Sequence, residues 1–269
     1  MAEARGEPVS ANNIAALVLA GGVVKEKHAA SWEPLLPPGT RNRALLELNG
    51  KPMYQHVVET LQATPGIRRI LLAGDVPLLP GCIPVLGGES MVDTLLNGVR
   101  ALDATETRFL VATADIPFLT SQAVTDLLAD APESADFVYS IIPAKVCYDA
   151  FPEMRRTTLK LAEGEFTGGN LVILNPEFLR TKEAVVRHAY ALRKNVPGLA
   201  ALLGPSTILR LLASRVAPSL LTLPQLEAAV SRLLGGASAR AIISNHAGVG
   251  ADVDHPEDVA LARKYLARE

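Results

Sequence analysis

Apolar runs separated by polar, glycine-rich or proline-rich stretches divide this chain. Ile14–Ala20 is unbroken hydrophobic sequence and ends on Gly21-Gly22. A run of that length without alternation predicts a strand buried on both faces, as in a parallel sheet. Comparable runs recur at Arg69–Gly74, Arg108–Thr113, Asp136–Pro143 and Ala239–Ser244. Between them, helical spacing of apolar positions predicts helices over Tyr54–Ala63 and Ser121–Ala129, and a last helix opens at Pro256. The runs Arg155–Leu161 and Glu165–Pro176, joined by Glu163-Gly164-Glu165, predict a hairpin. Glu177–Leu234 reads as mostly helical. It is broken at Pro197-Gly198, Gly204-Pro205, Pro218 and Pro224, and holds strongly apolar stretches such as Leu199–Leu203. Met1–Asn13 reads as a frayed lead-in and Gly22–Asn42 as a long loop. The whole is an α/β pattern in one domain over residues 1–269.

Composition removes several function classes. The 269 residues are 49% hydrophobic but only 4% aromatic, so the core is aliphatic. No apolar run escapes interruption long enough to span a bilayer, and the polar start carries no secretory h-region. Cys82 and Cys147 have no metal-binding spacing and are too few for a disulfide framework, which suits a reducing cytoplasm. A net charge of −2 gives no electrostatic case for nucleic acid, while small anionic ligands need only a local basic site.

Three features carry candidate chemistry. The first is the strand ending at Gly21-Gly22, where the backbone turns sharply and can come close to a bound group. It lacks both G-x-G-x-x-G and G-K-[ST]. The loop beyond it supplies Lys25, Lys27, His28, Arg41 and Arg43. The second is Ala112-Thr113-Ala114-Asp115-Ile116-Pro117, an apolar strand stopped by an aspartate and a proline. A carboxylate at such a strand end points into the crevice where α/β proteins bind ligands. Asp75-Val76-Pro77 repeats the spelling but reads as a turn. The third is Asp252-Val253-Asp254-His255-Pro256-Glu257-Asp258, whose last two acids suit a helix start, whereas Asp252 and Asp254 lie upstream of it.

Leu19-Ala20-Gly21-Gly22, the basic Arg43 and the run Ala44–Met53 together resemble the N-terminal signature of the MobA-like nucleotidyltransferases. The resemblance implies a three-layer α/β/α fold with a mostly parallel, Rossmann-like central sheet, accompanied here by the hairpin and by a helical insertion at 177–234. It implies a Mg²⁺-dependent transfer of a nucleotidyl group from an NTP to a small phosphorylated acceptor, with release of pyrophosphate. By the same carry-over Leu19, Ala20, Gly21 and Gly22 hold the triphosphate; where the family commonly has an arginine a few residues past the glycines, Lys25, Lys27 or Arg41 serves, or the triphosphate is held differently. Arg43 stands where the family has a phosphate-contacting lysine, a departure, since arginine grips oxygens as a bidentate fork. Gly87, Gly88 and Thr94 resemble the base-recognition loop of isoprenoid-type cytidylyltransferases, the alternative being a turn that caps a helix. Asp115 and Asp254 correspond to the two metal-binding carboxylates, with Asp252 as a substitute or an outer partner. Thr167, Gly168, Gly169 and Asn170 resemble a strand entry facing the acceptor, the alternative being a β-bulge. Arg155, Arg156 and Lys160 meet an acceptor phosphate or form a solvated face. The insertion closes over the acceptor, forms an oligomer contact, or lies against lipid. Two competing readings remain: a non-catalytic nucleotide-binding module, and a glycosyltransferase using a nucleotide sugar.

Overall fold

The computed structural model describes residues 14–192, 205–214 and 216–267. The lead-in Met1–Asn13, the break Pro197-Gly198 and the stretch Leu199–Leu203 lie outside them. The strands are β1 (Ile14–Leu19), β2 (Glu47–Leu48), β3 (Lys51–Pro52), β4 (Ile67–Ala73), β5 (Cys82–Val85), β6 (Phe109–Thr113), β7 (Phe137–Pro143), β8 (Thr158–Leu161), β9 (Gly164–Leu174) and β10 (Ala239–Ile243). Among the described residues, eight of them form one sheet in the order β10-β7-β9-β6-β1-β4-β5, with β8 paired to β9, while β2 and β3 make a separate small ribbon. The pairs β1–β4, β1–β6, β4–β5 and β7–β10 are parallel. In that sheet β9 runs against its neighbours β6, β7 and β8.

Strand pleating sorts each central run into two cores. Ala16, Val18 and Ala20 of β1 and its end, and Leu110, Ala112 and Ala114 around β6, face one side. There they meet Tyr54, Val57, Val58 and Leu61 of the helix Met53–Gln62, and Val124, Leu127 and Leu128 of the helix Ser121–Asp130. Ala15, Leu17, Phe109 and Val111 face the other side, against the helix Met91–Arg100 and Phe178 and Leu179 of the helix Pro176–Thr181. Apolar side chains fully covered on both faces stabilise by roughly 1.5–3 kcal/mol each relative to exposure, and this is why β1 needs no alternation. The α/β/α layering and mostly parallel sheet read from the sequence are therefore present.

Three details differ from the sequence reading. The segment 22–42 is not an open loop: it contains a 3-10 turn at Glu26–His28 and a short helix at Ala29–Trp32, folded over the buried Trp32. The hairpin turn falls one residue earlier than expected, because β9 already starts at Gly164. That strand then runs on for 11 residues into the middle of the sheet. The stretch Ala144–Ala150, given no element from sequence, is a helix. Glu177–Leu234 is mostly helical where described, as helices Glu183–Leu192, Pro205–Ala213 and Leu223–Leu233.

Candidate functional site

The C-terminal ends of β1 and β6 are neighbours in the sheet, so Gly21 and Asp115 emerge side by side. The tail joins them through one backbone bond: the Val253 N–H donates to the Asp115 carbonyl at 2.8 Å. Gly248 makes that approach feasible, since a Cβ there would meet the Phe118 carbonyl oxygen at 2.0 Å. Asp258 caps the final helix by accepting from the N–H groups of Asp254 and His255, which leaves the Asp252 and Asp254 side chains for other partners. These contacts bring the strand-end acid and the tail acids into one cluster.

Arg43 stands at its centre. Its guanidinium donates to Asp254 Oδ1 at 2.7 Å and lies 3.8 Å from Asp115 Oδ2. It also donates to the carbonyls of Val253 and Asp254, each at 3.3 Å. The Trp32 ring lies 5.7 Å from the guanidinium carbon, a cation–π distance. Arg43 is held in register by its neighbour Asn42, a buried residue whose side-chain NH₂ donates to the carbonyls of Ala20 and Asp75 and whose side-chain oxygen accepts from Ala44 N–H. Asp252 is paired with Arg156 at 2.9 Å, and the Arg156 side chain is only 4% exposed. Arg156 therefore belongs to the cluster and not to a solvated face.

The charges are unevenly satisfied. Asp115 Oδ1 and Thr113 Oγ1 are buried without a well-formed hydrogen bond. Burial raises the Asp115 carboxyl above its ordinary range, with Thr113 and Arg43 opposing that and the Asp254 charge adding to it. Burial and the Asp254 charge push Asp252 up to about 7. Burial also presses on Asp254, but the Arg43 hydrogen bond and the neighbouring Asp252 outweigh it and keep that carboxyl low. An orphaned buried carboxylate oxygen in an all-oxygen donor set fits a hard cation, not a His- or Cys-seeking one. Among the described residues no three His, Cys, Asp or Glu converge as a ready-made cage, so such a cation would need further oxygens from elsewhere.

The remaining predicted site residues divide. Gly21 and Gly22 are exposed at the strand end, and neither has a positive φ. The sharp glycine-requiring turn expected there is absent. A Cβ on Gly21 would meet nothing within 4 Å, so what the glycine leaves is open space. The glycine that backbone packing does require is Gly74, at φ +148°, where a Cβ would sit 2.4 Å from the Ala20 carbonyl. Leu19 and Ala20 are tied into the sheet, Ala20 N–H to Ala73 O and Leu19 O to Ala114 N–H. Lys25 is exposed just before the 3-10 turn, and Arg41 is taken up by Glu26.

At the second loop, the Thr94 hydroxyl accepts from Gly88 N–H and donates to the Ser90 carbonyl. Ser90 and Asp93 form a capping box for the helix that follows. Thr94 is thus engaged in holding the turn, Gly88 is required by contact with Asp93, and Gly87 faces open space. In the hairpin, the Thr167 hydroxyl donates to the Thr157 carbonyl and the Asn170 amide to Val249 O at 3.4 Å. A Cβ on Gly168 or Gly169 would strike Tyr139 Oη or Ser140 Oγ, at 2.4 and 2.3 Å, and the β7 register shifts between Tyr139 and Ile141 opposite them. Sequence reading did not single out Trp32, Asn42 or Gly74. The one tryptophan of the chain, set in a polar loop, was the available signal for the first.

Residues 16–249 match the MobA-like NTP transferase domain; Asp252 and Asp254 lie just beyond the matched stretch. A hypothetical transferase from Thermus thermophilus is similar at 35% identity and TM-score 0.79, over 92% of this chain and 99% of that one. CMP:2-keto-3-deoxy-manno-octonic acid synthetase, solved with CTP, shares the fold at 17% identity and TM-score 0.55, over 95% and 98%. So does 2-C-methyl-D-erythritol 4-phosphate cytidylyltransferase, also from Thermus thermophilus, at 14% identity and TM-score 0.55, over 96% and 100%. Among curated proteins none matches.

Proposed function

This chain belongs to the MobA-like NTP transferase family and is a nucleotidyltransferase, and from that premise we propose a Mg²⁺-dependent transfer of NMP from an NTP to a small phosphorylated acceptor. An acceptor oxygen attacks the α-phosphorus, the bond to the β-phosphate oxygen breaks, and pyrophosphate leaves. Such chemistry asks the protein for position and charge neutralisation more than for covalent participation.

The observation that carries the reading is the meeting of Asp115 and Asp254 around Arg43, beside the open space at Gly21. Asp115 and Asp254 would hold Mg²⁺, which supplies charge neutralisation to the triphosphate when bound; two carboxylates suit an ion that keeps waters and phosphate oxygens as its other ligands. Arg43 exchanges its carboxylate partners for β- and γ-phosphate oxygens, with Lys25 as a second cation. The main chain at Leu19–Gly22 lies along the phosphates. Gly87 and Gly88 approach the base, with Thr94 fixing the turn that presents them. Thr167–Asn170 face the acceptor, and the buried Arg156 keeps Asp252 oriented. Cys82 and Cys147 are free and buried, and among the described residues no helix is long and apolar enough to cross a membrane; we assign the enzyme to the cytoplasm.

The test is Asp115→Asn. This keeps the backbone acceptor for Val253 N–H and nearly the same shape while removing the charge. Mg²⁺-dependent pyrophosphate release should fall by at least about a hundredfold, the scale seen when one transition-state charge stabiliser is lost, with far-UV circular dichroism unchanged. A parallel thermal-shift screen of the four NTPs with Mg²⁺ should raise the wild-type melting temperature for one base and leave the variant unmoved. Retained activity in the variant would sink the metal assignment.

A further inference from the structure

A cavity of about 230 Å³ lies between the sheet and the helix Leu223–Leu233. Alternate residues of β7, among them Phe137 and Tyr139, form its floor. Leu223, Leu226 and Val230, spaced to share one helix face, form its roof. Protein interiors are otherwise close-packed. Here Ala239 and Ala241 stand where larger side chains would close the space. The lining is almost wholly apolar. Of its two charged residues, Glu227 accepts from Ala241 N–H and Arg240 donates to Ala239 O. Both are bound to the adjoining strand and make no demand for a polar ligand.

One end of this cavity reaches the strand entry at Thr167 and Gly168. Gly168 and Thr167 line that end, and they lead along β9 to Gly169 and Asn170, whose amide donates to Val249 O at 3.4 Å; Gly250 itself packs on the opposite face of the sheet, against Ile142. Gly250 precedes Asp252 by two residues. The Tyr139 hydroxyl stands over Gly168, and burial together with the Asp252 charge holds that phenol above its usual range. A molecule whose polar end lies beside Asn170 therefore has an apolar recess beginning two residues back along β9.

We propose that this cavity receives a hydrocarbon or aromatic portion of the acceptor, so that the acceptor is a phosphorylated compound with an apolar arm and not a fully hydroxylated sugar phosphate. The inference rests on the nucleotidyltransferase reading for its polar end and on the cavity for its apolar one. Taking for each small group about the 30 Å³ that one water molecule occupies in the liquid, the space holds roughly seven or eight such groups.

The probe is a series of n-alkyl phosphates from methyl to decyl, titrated calorimetrically into the full chain with Mg²⁺, with pyrophosphate release then measured with each NTP. Affinity should rise by up to about fourfold per methylene and level off near seven or eight carbons. Ala241→Leu and, separately, Leu226→Trp should flatten the series while leaving methyl phosphate and NTP binding unchanged; either variant suffices if the other misfolds. Wild-type affinity independent of chain length overturns the proposal, as does an unaltered series in both folded variants. Chain-length-dependent binding with no pyrophosphate release from any NTP would keep the cavity and sink the proposed transfer to a phosphorylated acceptor. Release without chain-length dependence would do the reverse.

Discussion

Replacing Arg43 with alanine probes the point where the charges of the site meet. In the wild type the guanidinium lies 2.7 Å from one acid and 3.8 Å from the other. The Arg43 and Asp115 side chains are each 22% exposed, whereas Asp254 is 50% exposed. Removing one partner of a fully buried pair costs about 3–5 kcal/mol, and an exposed pair contributes under about 1 kcal/mol. The Asp115 arm lies nearer the first limit and the Asp254 arm nearer the second, so the loss should be about 2–3 kcal/mol. In a chain of this size that lowers the melting temperature by roughly 4–12 °C. Mg²⁺ at a hundred times its dissociation constant returns about 2.7 kcal/mol. The variant should therefore recover most of its loss in excess Mg²⁺. It should also gain more from the ion than the wild type does, because in the wild type Arg43 competes for the same oxygens. Pyrophosphate release should stay at least about tenfold low, the equivalent of one lost charge-assisted contact to the triphosphate. Thermal denaturation followed by circular dichroism, in EDTA and in graded MgCl₂, reads all of this except the rate. A variant as stable as the wild type in EDTA, or one that gains no more than the wild type from Mg²⁺, refutes the reasoning.

Two further predictions follow from backbone and proton geometry. Gly74→Ala forces a Cβ to within 2.4 Å of the Ala20 carbonyl at a φ of +148° and should cost about 2–4 kcal/mol in urea denaturation. Gly21→Ala, where a Cβ meets nothing, should change stability by less than about 0.5 kcal/mol yet weaken NTP binding; equal stability losses in the two variants would contradict the packing argument. Asp252 has a folded pKa of about 7, above its unfolded value, so the folded state holds that proton more tightly. The stability this contributes is complete below about pH 4 and is lost as pH rises to 7, by at most about 4 kcal/mol. Its side chain is 28% exposed, which keeps the effect below that bound. Asp252→Asn should therefore be more favourable relative to wild type at pH 7.5 than at pH 4.5, and a difference that does not change with pH would refute the assignment.

The buried β1 was legible because its information is local: seven apolar residues in a row can be satisfied only with cover on both faces. Asp115 was legible for a similar reason, since an acid followed by x-Pro at the end of such a run must sit at a strand edge, whatever the rest of the chain does. The helix start at Pro256 follows from the Asp258 side chain bonding backbone N–H groups three and four residues away. Everything that needed a distant partner was out of reach. Gly21-Gly22 looked like the obligatory glycines, yet the obligation falls on Gly74, because only the packing of β4 against the end of β1 brings Ala20 to it. Arg156 spelled a surface cluster until Asp252 closed over it. The run that begins at Glu165 announced a strand but not that it would run antiparallel between β6 and β7, since apolar sequence specifies burial without naming neighbours. The union of Asp115 with Asp254 depends on one N–H of Val253, one missing Cβ at Gly248 and the bridging Arg43, contacts that exist only once mid-chain and tail are folded together. The residue types of the site were thus written in the chain, and their convergence belongs to tertiary packing, because charge pairing and close approach act across space while propensity and periodicity act along the sequence.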